Sequence, residues 1–331
     1  MALGGWIDPK PTGIYLPAAD AWIDPSIPVP RALVTHGHAD HARGGHGEVW
    51  ATPETLAIMD VRYGEQVARP VAYGETVKVG GVEATFVPAG HVLGSAQIVL
   101  DHAGERVVVS GDYKRRADPT CRGFEPVRCD VFVTEATFGL PVFRHPDTGD
   151  EIDKLLAALR ANPGRCVLVG AYALGKAQRV IAELRDRGFD DPIYVHGALQ
   201  RLCDLYVAHG VALGELRPAT GVAKKELEGR IVIAPPGALN DRWSRRLPDP
   251  ITAMASGWMT VRQRARQRNV ELPIIMSDHA DWDELTATIL ELRPQEVWVT
   301  HGREDALVHW CATRQIKARA LELVGFEDED D

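Results

Sequence analysis

Seven residues at positions 35–41, Thr-His-Gly-His-Ala-Asp-His, constrain this 331-residue chain more than any other segment. They follow the apolar run at 32–34, so a buried strand is predicted to end here in a loop. His36 and His38 stand two positions apart, a spacing that turns both side chains to the same side of an extended segment. Imidazole and carboxylate groups are ligands that divalent metals such as Zn²⁺ prefer. With Asp40 and His41, they predict a metal site at the end of this strand.

One loop cannot complete the coordination of two metals, and three further residues follow apolar runs in the same way. His91 comes after residues 85–90, Asp112 after residues 107–111 and His301 after residues 297–300. Loops after the carboxyl ends of parallel strands meet at one edge of a sheet. We therefore expect these three residues to join the histidine loop. For each histidine taken alone, the alternative is a structural role.

The order of strands and helices predicts two kinds of architecture. Up to about residue 145, short strand-like runs are separated by Gly and Pro, which favours stacked sheets. From about residue 150, strands alternate with helices, which favours a parallel α/β unit. The last stretch returns to strand and helix, with a final helix expected over residues 304–323. The five acidic residues at 327–331 are expected to form a disordered tail.

Composition excludes several classes of protein. Hydrophobic residues make up 45% and charged residues 25%, so the chain can bury a full core and is not a disordered or collagen-like protein. Its five cysteines contain no C-x-x-C pair, which argues against a disulfide framework and against a thiolate zinc site. No apolar run reaches about 18 residues, and the N-terminus does not resemble a secretory signal. We therefore expect a soluble, cytoplasmic protein without a membrane partner.

The motifs resemble those of the metallo-β-lactamase superfamily, in its β-CASP nuclease branch. The match runs through H-x-H-x-D-H at 36–41, His91, Asp112, Glu135 in Val-Thr-Glu-Ala-Thr, His279 in Met-Ser-Asp-His-Ala-Asp, and His301 before glycine. It therefore extends from residue 36 to residue 302. The segments Thr-His-x-His-Ala-Asp-His-Ala and Gly-His-x-Leu-Gly-Ser-Ala-Gln are most similar to those of bacterial ligase-associated DNA exonucleases.

The resemblance implies an α/β fold, an αββα metallo-β-lactamase sandwich with an inserted β-CASP α/β domain. Residues 1–145 would form the first part of the metallo-β-lactamase domain. Residues 146–264 would form the β-CASP domain, and residues 265–331 would return to the first domain and end in the acidic tail.

The resemblance also implies a site for two divalent metal ions, with Zn²⁺ as the first candidate and Mn²⁺ as the alternative. One ion would be held by His36, His38 and His91, the second by Asp40, His41 and His301, with Asp112 bridging them. Two ions about 3.5–4 Å apart can share a hydroxide that attacks a phosphodiester, and can stabilise the leaving oxygen.

Catalytic roles are implied for Asp40, Glu135 and His279. Glu135 would orient a metal ligand or His279, and His279 would protonate the leaving oxygen or stabilise the phosphorane. Without the resemblance, the alternative for Glu135 is a buried acid that pairs with an amide or an arginine.

Four residues are candidates for contacts with a nucleic-acid backbone. Lys114 follows the metal-site aspartate closely. Residues 170–177 match G-x4-G-K, but Ala177 replaces the Ser or Thr hydroxyl of a P-loop, which argues against an ATPase. The helix predicted to begin there can bind a phosphate beside Lys176, or the segment is a tight turn without a ligand. Ser256 and Gly257 form a turn that can present N–H groups to phosphate.

The formal net charge of −9 at first argues against a polyanionic partner. Five of the acidic residues, however, lie in the tail at 327–331, and bound metal ions are not part of the count. Residues 224–268 carry ten basic and four acidic residues. Net charge therefore does not exclude DNA.

The leading hypothesis is a metal-dependent nuclease that hydrolyses DNA, an exonuclease in DNA repair. The name of the similar exonucleases links it to a DNA ligase, and the family resemblance alone implies a ligase and a helicase as partners. A first alternative is an RNA-processing nuclease, because RNA-processing members carry a histidine at the position of His301. A second is a non-catalytic subunit of a processing complex, which the seven retained metal-ligand residues argue against. Glu135, His279 and the long insertion disfavour a small-molecule hydrolase.

Overall fold

The computed structural model describes residues 3–321 and divides into two compact units. The first takes in the described residues up to Arg144 and those from His279 onward, and the second runs from His145 to Asp278. Sheets and helices occur in both units, which confirms the α/β class. Between residues 3 and 321, no helix combines the length and the apolar composition needed to cross a bilayer. The acidic segment at 327–331 lies outside the described residues.

The first unit contains a six-stranded and a seven-stranded sheet. In the six-stranded sheet the strands lie in chain order: β1 (Asp8–Lys10), β2 (Gly13–Leu16), β3 (Ala21–Ile23), β4 (Arg31–Leu33), β5 (Glu48–Ala51) and β6 (Ala68–Pro70). The strands of the other sheet are β7 (Thr76–Val79), β8 (Val82–Pro88), β9 (Ala96–His102), β10 (Glu105–Val109), β11 (Val131–Ala136), β18 (Glu296–Gly302) and β19 (Lys317–Ala320). They lie in the order β19-β18-β11-β10-β9-β8-β7, and β10, β11, β18 and β19 run parallel.

The two sheets share one apolar core. Leu16 and Leu33 of the six-stranded sheet are buried in the same cluster as Phe86, Ile98 and Val133 of the seven-stranded sheet. Because side chains alternate between the faces of a strand, these positions point inward while their neighbours point outward. The first unit is therefore built on two packed sheets.

Helices cover the outer faces of these sheets. Leu56 and Met59 of α1 (Pro53–Tyr63) pack in one cluster with the outward residues of β4 and β5. Leu285 of α6 (Trp282–Leu292) and Leu307 of α7 (Glu304–Thr313) pack in another with Val108 of β10. The layers of the first unit thus follow the order helix, sheet, sheet, helix.

The second unit is built on one parallel sheet, as the alternation of strands and helices predicts. Its strands are β12 (Val167–Gly170), β13 (Ile193–Val195), β14 (Leu216–Pro218), β15 (Ile231–Ala234), β16 (Ile251–Ala255) and β17 (Leu272–Ile274), in the order β14-β13-β15-β12-β16-β17. Its helices are α2 (Thr148–Ala161), α3 (Lys176–Asp186), α4 (Gly197–Ala208) and the short α5 (Arg262–Gln267). All residues of β12 and β15 are buried, which is typical of central strands covered on both faces.

The final helix expected over residues 304–323 is wrong in its second half. The helix α7 ends at Thr313, and Gln315 adopts a left-handed conformation with φ of 61°. The chain then forms β19, which pairs in parallel with β18. Pairing with a sheet edge has therefore overridden the helical preference of the Lys-Ala-Arg-Ala sequence. Residues 322 and 323 lie outside the described part of the chain.

We expect Phe86→Ala to lower the free energy of unfolding of the first unit by about 3–5 kcal/mol, because it leaves a cavity between two sheets. Phe86 is 0% exposed. Denaturant unfolding of the purified variant measures the loss. The control is Val77→Ala on β7, which is half-buried and should cost about 1 kcal/mol. Equal losses in the two variants would contradict the core position of Phe86.

Candidate metal centre

Strand direction brings the predicted residues to one edge of the first unit. Asp112 follows β10, Glu135 lies near the end of the parallel neighbour β11, and His301 lies near the end of β18. His91 follows β8, which also ends at this edge because β8 and β10 each pair antiparallel with β9. The carboxyl ends of these strands therefore deliver two acids and two histidines to the same place.

The histidine loop at 35–41 meets them from the other sheet. It follows β4, and the N–H of Ala96 donates to the carbonyl of Thr35 at 2.8 Å, which joins the loop to the start of β9. Gly111 lies beside this contact with φ of +55°, and a Cβ atom there would come within 2.7 Å of the Thr35 side chain. A glycine is thus required where the loop before Asp112 passes the histidine loop.

The carboxylate of Asp112 is the centre of the cluster. Its Oδ2 lies 3.3 Å from His36 Nε2, 3.4 Å from His41 Nε2, 3.7 Å from His91 Nε2 and 3.9 Å from His279 Nδ1. These separations are longer than the 2.7–3.2 Å of ordinary N–H···O hydrogen bonds. Two ligand atoms that are each 2.0–2.2 Å from a tetrahedral metal ion lie about 3.3–3.6 Å apart. The separations from His36 and His41 therefore match the spacing of two ligands on one divalent cation.

Three groups of donors lie close enough together to hold a metal ion. They are His36, His38, His91 and Asp112; Asp40, His41 and Asp112; and Asp112, Glu135 and His279. The aspartate at 112 belongs to all three. Among the described residues, Oδ1 of Asp40 is buried and has no hydrogen-bond partner, so it has lone pairs to offer. The ring centre of His301 is 5.0 Å from that of His41, next to the second group.

Burial and mutual contact set the ionisation of this cluster. Burial lowers the pKa of both His36 and His301 to about 4, so these imidazoles are neutral donors at pH 7. Burial also opposes the charge on Asp112, but the imidazoles of His41 and His279 outweigh it and hold the pKa of that carboxyl well below its usual range. Burial opposes a charge on His41, but Asp112, Asp40 and Asp24 outweigh it and raise the pKa of this imidazole well above its usual value. Neutral imidazole and ionised carboxylate are the forms that bind a metal, so metal binding at His41 releases a proton.

Asp24 holds the histidine loop in place, and the sequence reasoning missed it. Its Oδ2 lies 2.8 Å from His41 Nδ1 and accepts a 2.6 Å hydrogen bond from the Thr35 hydroxyl. Its Oδ1 accepts the Thr35 N–H at 2.8 Å, and the same hydroxyl lies 3.0 Å from His36 Nδ1. A carboxylate behind an imidazole fixes the ring and its tautomer for metal binding. The signal was present, because Asp24 follows the apolar strand β3 as the other site acids follow theirs.

Glu135 is fully buried and joins two parts of the site. Its Oε1 accepts the N–H of Tyr113, directly after Asp112, at 2.8 Å. Its Oε2 lies 2.9 Å from His279 Nδ1. A carboxylate can only accept, so Nδ1 carries the proton and Nε2 of His279 faces away from the acid. The His279 side chain is 24% exposed, whereas His91 is 0% exposed, so His279 can be reached from solvent.

The loop that carries His91 is anchored by side chains that the sequence reasoning did not single out. The hydroxyl of Ser95 accepts the N–H groups of His91 and Val92 at 3.1 and 3.2 Å. Thr52, the N-cap of α1, donates to the Gly94 carbonyl at 2.6 Å. These bonds fix the backbone at His91 and in the three residues that follow it.

The four predicted nucleic-acid contacts are buried in this structure. The Lys114 side chain is 1% exposed and pairs with Asp118. Lys176 is 4% exposed and pairs with Asp278 at 3.0 Å. Ser256 accepts the Trp258 N–H at 3.3 Å as the cap of a 3₁₀ turn, and Gly257 is buried beside it. In the arrangement described, none of the four presents a free side-chain group to a phosphate.

Three relatives are similar in sequence to half of this chain or more. A probable DNA ligase of Opitutus terrae is 28% identical over 316 residues, which are 93% of this chain and 30% of that protein. The cleavage and polyadenylation specificity factor subunit 3-I of Arabidopsis thaliana is 24% identical over 86% of this chain and 53% of its own length. A ribonuclease of Thermus thermophilus is 27% identical over 54% and 49%. The chain thus spans under a third of the ligase and about half of the other two.

Comparison of structures supports the fold alone. A protein of unknown function from Enterococcus faecalis superposes on 81% of this chain and 74% of its own, with a TM-score of 0.51 and 14% identity. No protein-family profile matches the chain.

We expect Asp24→Asn to weaken metal binding by about 10–100-fold, because an amide supports the His41 ring less well than a carboxylate does. Titration of the metal-free protein with Zn²⁺ or Co²⁺ measures the affinity. Asp8→Asn is the matched control. The sequence Trp-Ile-Asp-Pro occurs at residues 6–9 and again at 22–25, and Asp8 of the first copy pairs with Lys10 at the surface. Unchanged affinity in Asp24→Asn would contradict the role of this carboxylate.

Proposed function

The chain is a relative of the β-CASP nucleases of the metallo-β-lactamase superfamily, and we propose from this that it is a metal-dependent phosphodiesterase acting on nucleic acid. We further propose that the substrate is DNA and that the enzyme removes nucleotides from an end, in DNA repair. One observation carries the proposal: four imidazoles converge on Asp112, and one of them, His279, pairs with the buried Glu135.

We assign the two units on the same basis. The helix-sheet-sheet-helix layers of the first unit are those expected of a metallo-β-lactamase αββα sandwich. The parallel sheet of the second unit is that expected of the inserted β-CASP domain. Under this assignment the first unit supplies the reacting groups.

The chain's own residues divide the catalytic work. His36, His38 and His91 would hold one divalent cation and Asp40, His41 and His301 a second, with Asp112 contributing to both. Such cations neutralise charge on the phosphate and lower the pKa of bound water towards about 7. Zn²⁺ is the first candidate for both ions, because each group offers imidazole and carboxylate ligands, and Mn²⁺ is the alternative.

His279 is suited to move a proton to the leaving oxygen. Glu135 accepts from Nδ1, so Nε2, on the opposite side of the ring, is the atom that can carry the transferred proton. A proton on Nε2 can then pass to the departing oxygen of the broken ester. The buried Glu135 restricts rotation of this ring.

A cationic surface on the second unit supports a polyanionic substrate. Five exposed arginines make no ion pair among the described residues: Arg242, Arg245, Arg246, Arg262 and Arg266. The segments that carry them share one apolar cluster, through Leu239 and Leu247 on one side and Ala265 on the other. Unpaired guanidinium groups bind phosphates and position a strand without reading its sequence.

The similarity to a probable DNA ligase covers 93% of this chain and favours DNA, and it makes a ligase a candidate partner; a helicase is proposed by family resemblance alone. The second candidate is an RNA-processing nuclease, because other relatives are named as a ribonuclease and as a cleavage and polyadenylation factor subunit. His301 also matches the histidine that RNA-processing members carry at this position. The complete donor set disfavours a non-catalytic subunit.

End-labelled single-stranded DNA, double-stranded DNA and RNA of the same sequence, incubated with Mn²⁺ or Zn²⁺, test the substrate. We expect mononucleotides to be released from a DNA end while RNA stays intact. Gel separation of the products over time measures this, with Asp40→Ala protein as the blank. Cleavage of RNA alone would replace DNA by the RNA alternative, and internal fragments would exclude exonuclease action.

Two variants test the roles of the site residues. Asp40→Ala should lose metal and nuclease activity together, since it removes a ligand. His279→Ala should keep its metal and lose about 10²-fold in rate, the range typical of a lost general acid. Metal content and cleavage rate are measured on the same preparations. His209→Ala, an exposed histidine after α4, is the control. Full activity in metal-free Asp40→Ala protein would refute the mechanism.

A further inference from the structure

Three buried side chains grip the segment at residues 275–278. This segment follows β17 in the second unit and leads directly to His279 in the sequence. Glu151 of α2 accepts the N–H of Ile275 at 2.8 Å. Lys176 of α3 donates to the carbonyl of Met276 at 2.9 Å. Arg179, one turn further along α3, donates to the carbonyl of Ser277.

The next residue, Asp278, is held by its side chain. Its Oδ2 lies 3.0 Å from Lys176 Nζ, and its Oδ1 accepts a 3.1 Å hydrogen bond from Arg179 Nη1. The second arm of Arg179 donates to the Thr148 hydroxyl at 2.9 Å, which ties the guanidinium to α2. Four consecutive residues of one irregular segment are thus fixed, each through a backbone or side-chain polar group.

Burying these four charged side chains costs free energy, so stability alone does not account for them. Their contacts fix the backbone of residues 275–278. Arg179 is 1% exposed, Lys176 and Glu151 are each 4% exposed, and Asp278 is 5% exposed. Charged residues are rarely buried this far, and a buried ion pair is often no more stabilising than apolar residues of similar volume. Arg179 also lies 3.5 Å from Glu183, so the two cations face two carboxylates. Their contacts with the carbonyls of Met276 and Ser277 are not needed to neutralise those charges. The side chains of Glu151, Lys176 and Arg179 thus bind the backbone of residues 275–277, and the two cations also bind the Asp278 carboxylate.

The glycine-rich segment before α3 is arranged for the same purpose. In a phosphate-binding loop, the lysine and the free N–H groups at the helix start would face the ligand. Here the N–H of Gly175 donates to Gln178 Oε1 at 2.9 Å, and Lys176 is directed to residues 276–278. The G-x4-G-K pattern therefore places a cation on a protein segment.

We propose that Lys176 and Arg179 are positioning residues for His279, acting through the backbone of residues 276–278 and through Asp278. The inference rests on the proposed function, in which His279 protonates the leaving oxygen. One peptide bond separates Asp278 from His279, so movement of the segment displaces the imidazole. A displacement of about 1 Å in a reacting group can cost about 10²-fold in rate.

The test compares Lys176→Met with His279→Ala on two substrates. An oligonucleotide leaves as an alkoxide that needs a proton, whereas bis(p-nitrophenyl) phosphate releases p-nitrophenolate, which leaves without one. We expect Lys176→Met to lower kcat for the oligonucleotide by about 10–100-fold, with KM and bound metal unchanged. The loss on the nitrophenyl ester should be much smaller. His279→Ala should show the same contrast.

Arg185→Met is the matched control, because Arg185 also lies on α3 and also donates to backbone carbonyls, those of Leu213 and Glu215. It should leave the ratio of the two rates as in the wild type. If Lys176→Met does not fold, Arg179→Lys replaces it. A lysine keeps the positive charge but cannot contact Asp278 and Thr148 at once as the two guanidinium nitrogens do.

A double variant decides whether the effect passes through His279. In the His279→Ala background, Lys176→Met should cause no further loss, because the ring that it positions is gone. An equal loss in both backgrounds, or loss of bound metal, would overturn the inference.

Hydrogen exchange separates this inference from the proposed function. The peptide that spans residues 275–280 should exchange faster in Lys176→Met than in Arg185→Met, whatever the substrate. A wild-type protein that cleaves neither substrate refutes the proposed function. An active wild type with unchanged kcat or unchanged exchange in Lys176→Met refutes the positioning role alone.

Discussion

The first unit depends on one interaction, the contact of the buried Asp112 carboxylate with four imidazoles. Their nitrogens lie between 3.3 and 3.9 Å from Oδ2. Asp112 is 5% exposed, and burial of an unpaired charge costs several kcal/mol. The charge is tolerable because four imidazoles lie close to it. Three of them come from loops of both sheets, so the loops after β4, β8 and β10 must each keep a fixed path. Asp24, Ser95 and Glu135 supply the hydrogen bonds that fix these paths.

The location of the cluster could be predicted because it follows from strand direction. Polar ligand residues after apolar runs mark the carboxyl ends of strands, and strands with a common direction end at a common edge. His91, Asp112 and His301 were expected together on this ground, and they lie in one cluster around the histidine loop. The same rule applies to Asp24 after β3. Asp24 lies in Trp-Ile-Asp-Pro, which also occurs at residues 6–9, where Asp8 pairs with Lys10 at the surface, so the tetrapeptide alone does not mark a site.

The partners of isolated charges could not be predicted, since they depend on tertiary contacts. Lys114 and Lys176 lie near glycines and a strand end, as phosphate-binding lysines do, yet both are buried against aspartates. Asp118 is four residues away in sequence, while Asp278 is about a hundred away, and no local pattern identifies either. The end of α7 was misplaced for a similar reason, because the edge of β18 was available for pairing and sequence periodicity does not report that.

Net charge has less bearing on the choice of partner than the distribution of charge has. Electrostatic interactions fall off over about 8–10 Å at physiological salt, so a phosphate responds to the nearest few side chains. The formal charge of −9 includes buried carboxylates that pair with other groups of the protein. Asp24, Asp112 and Glu135, for example, face imidazoles and N–H groups. The unpaired arginines of the second unit, in contrast, are exposed. An acidic protein can thus present a cationic surface to a polyanion, because some of its acidic groups face buried imidazoles and N–H groups.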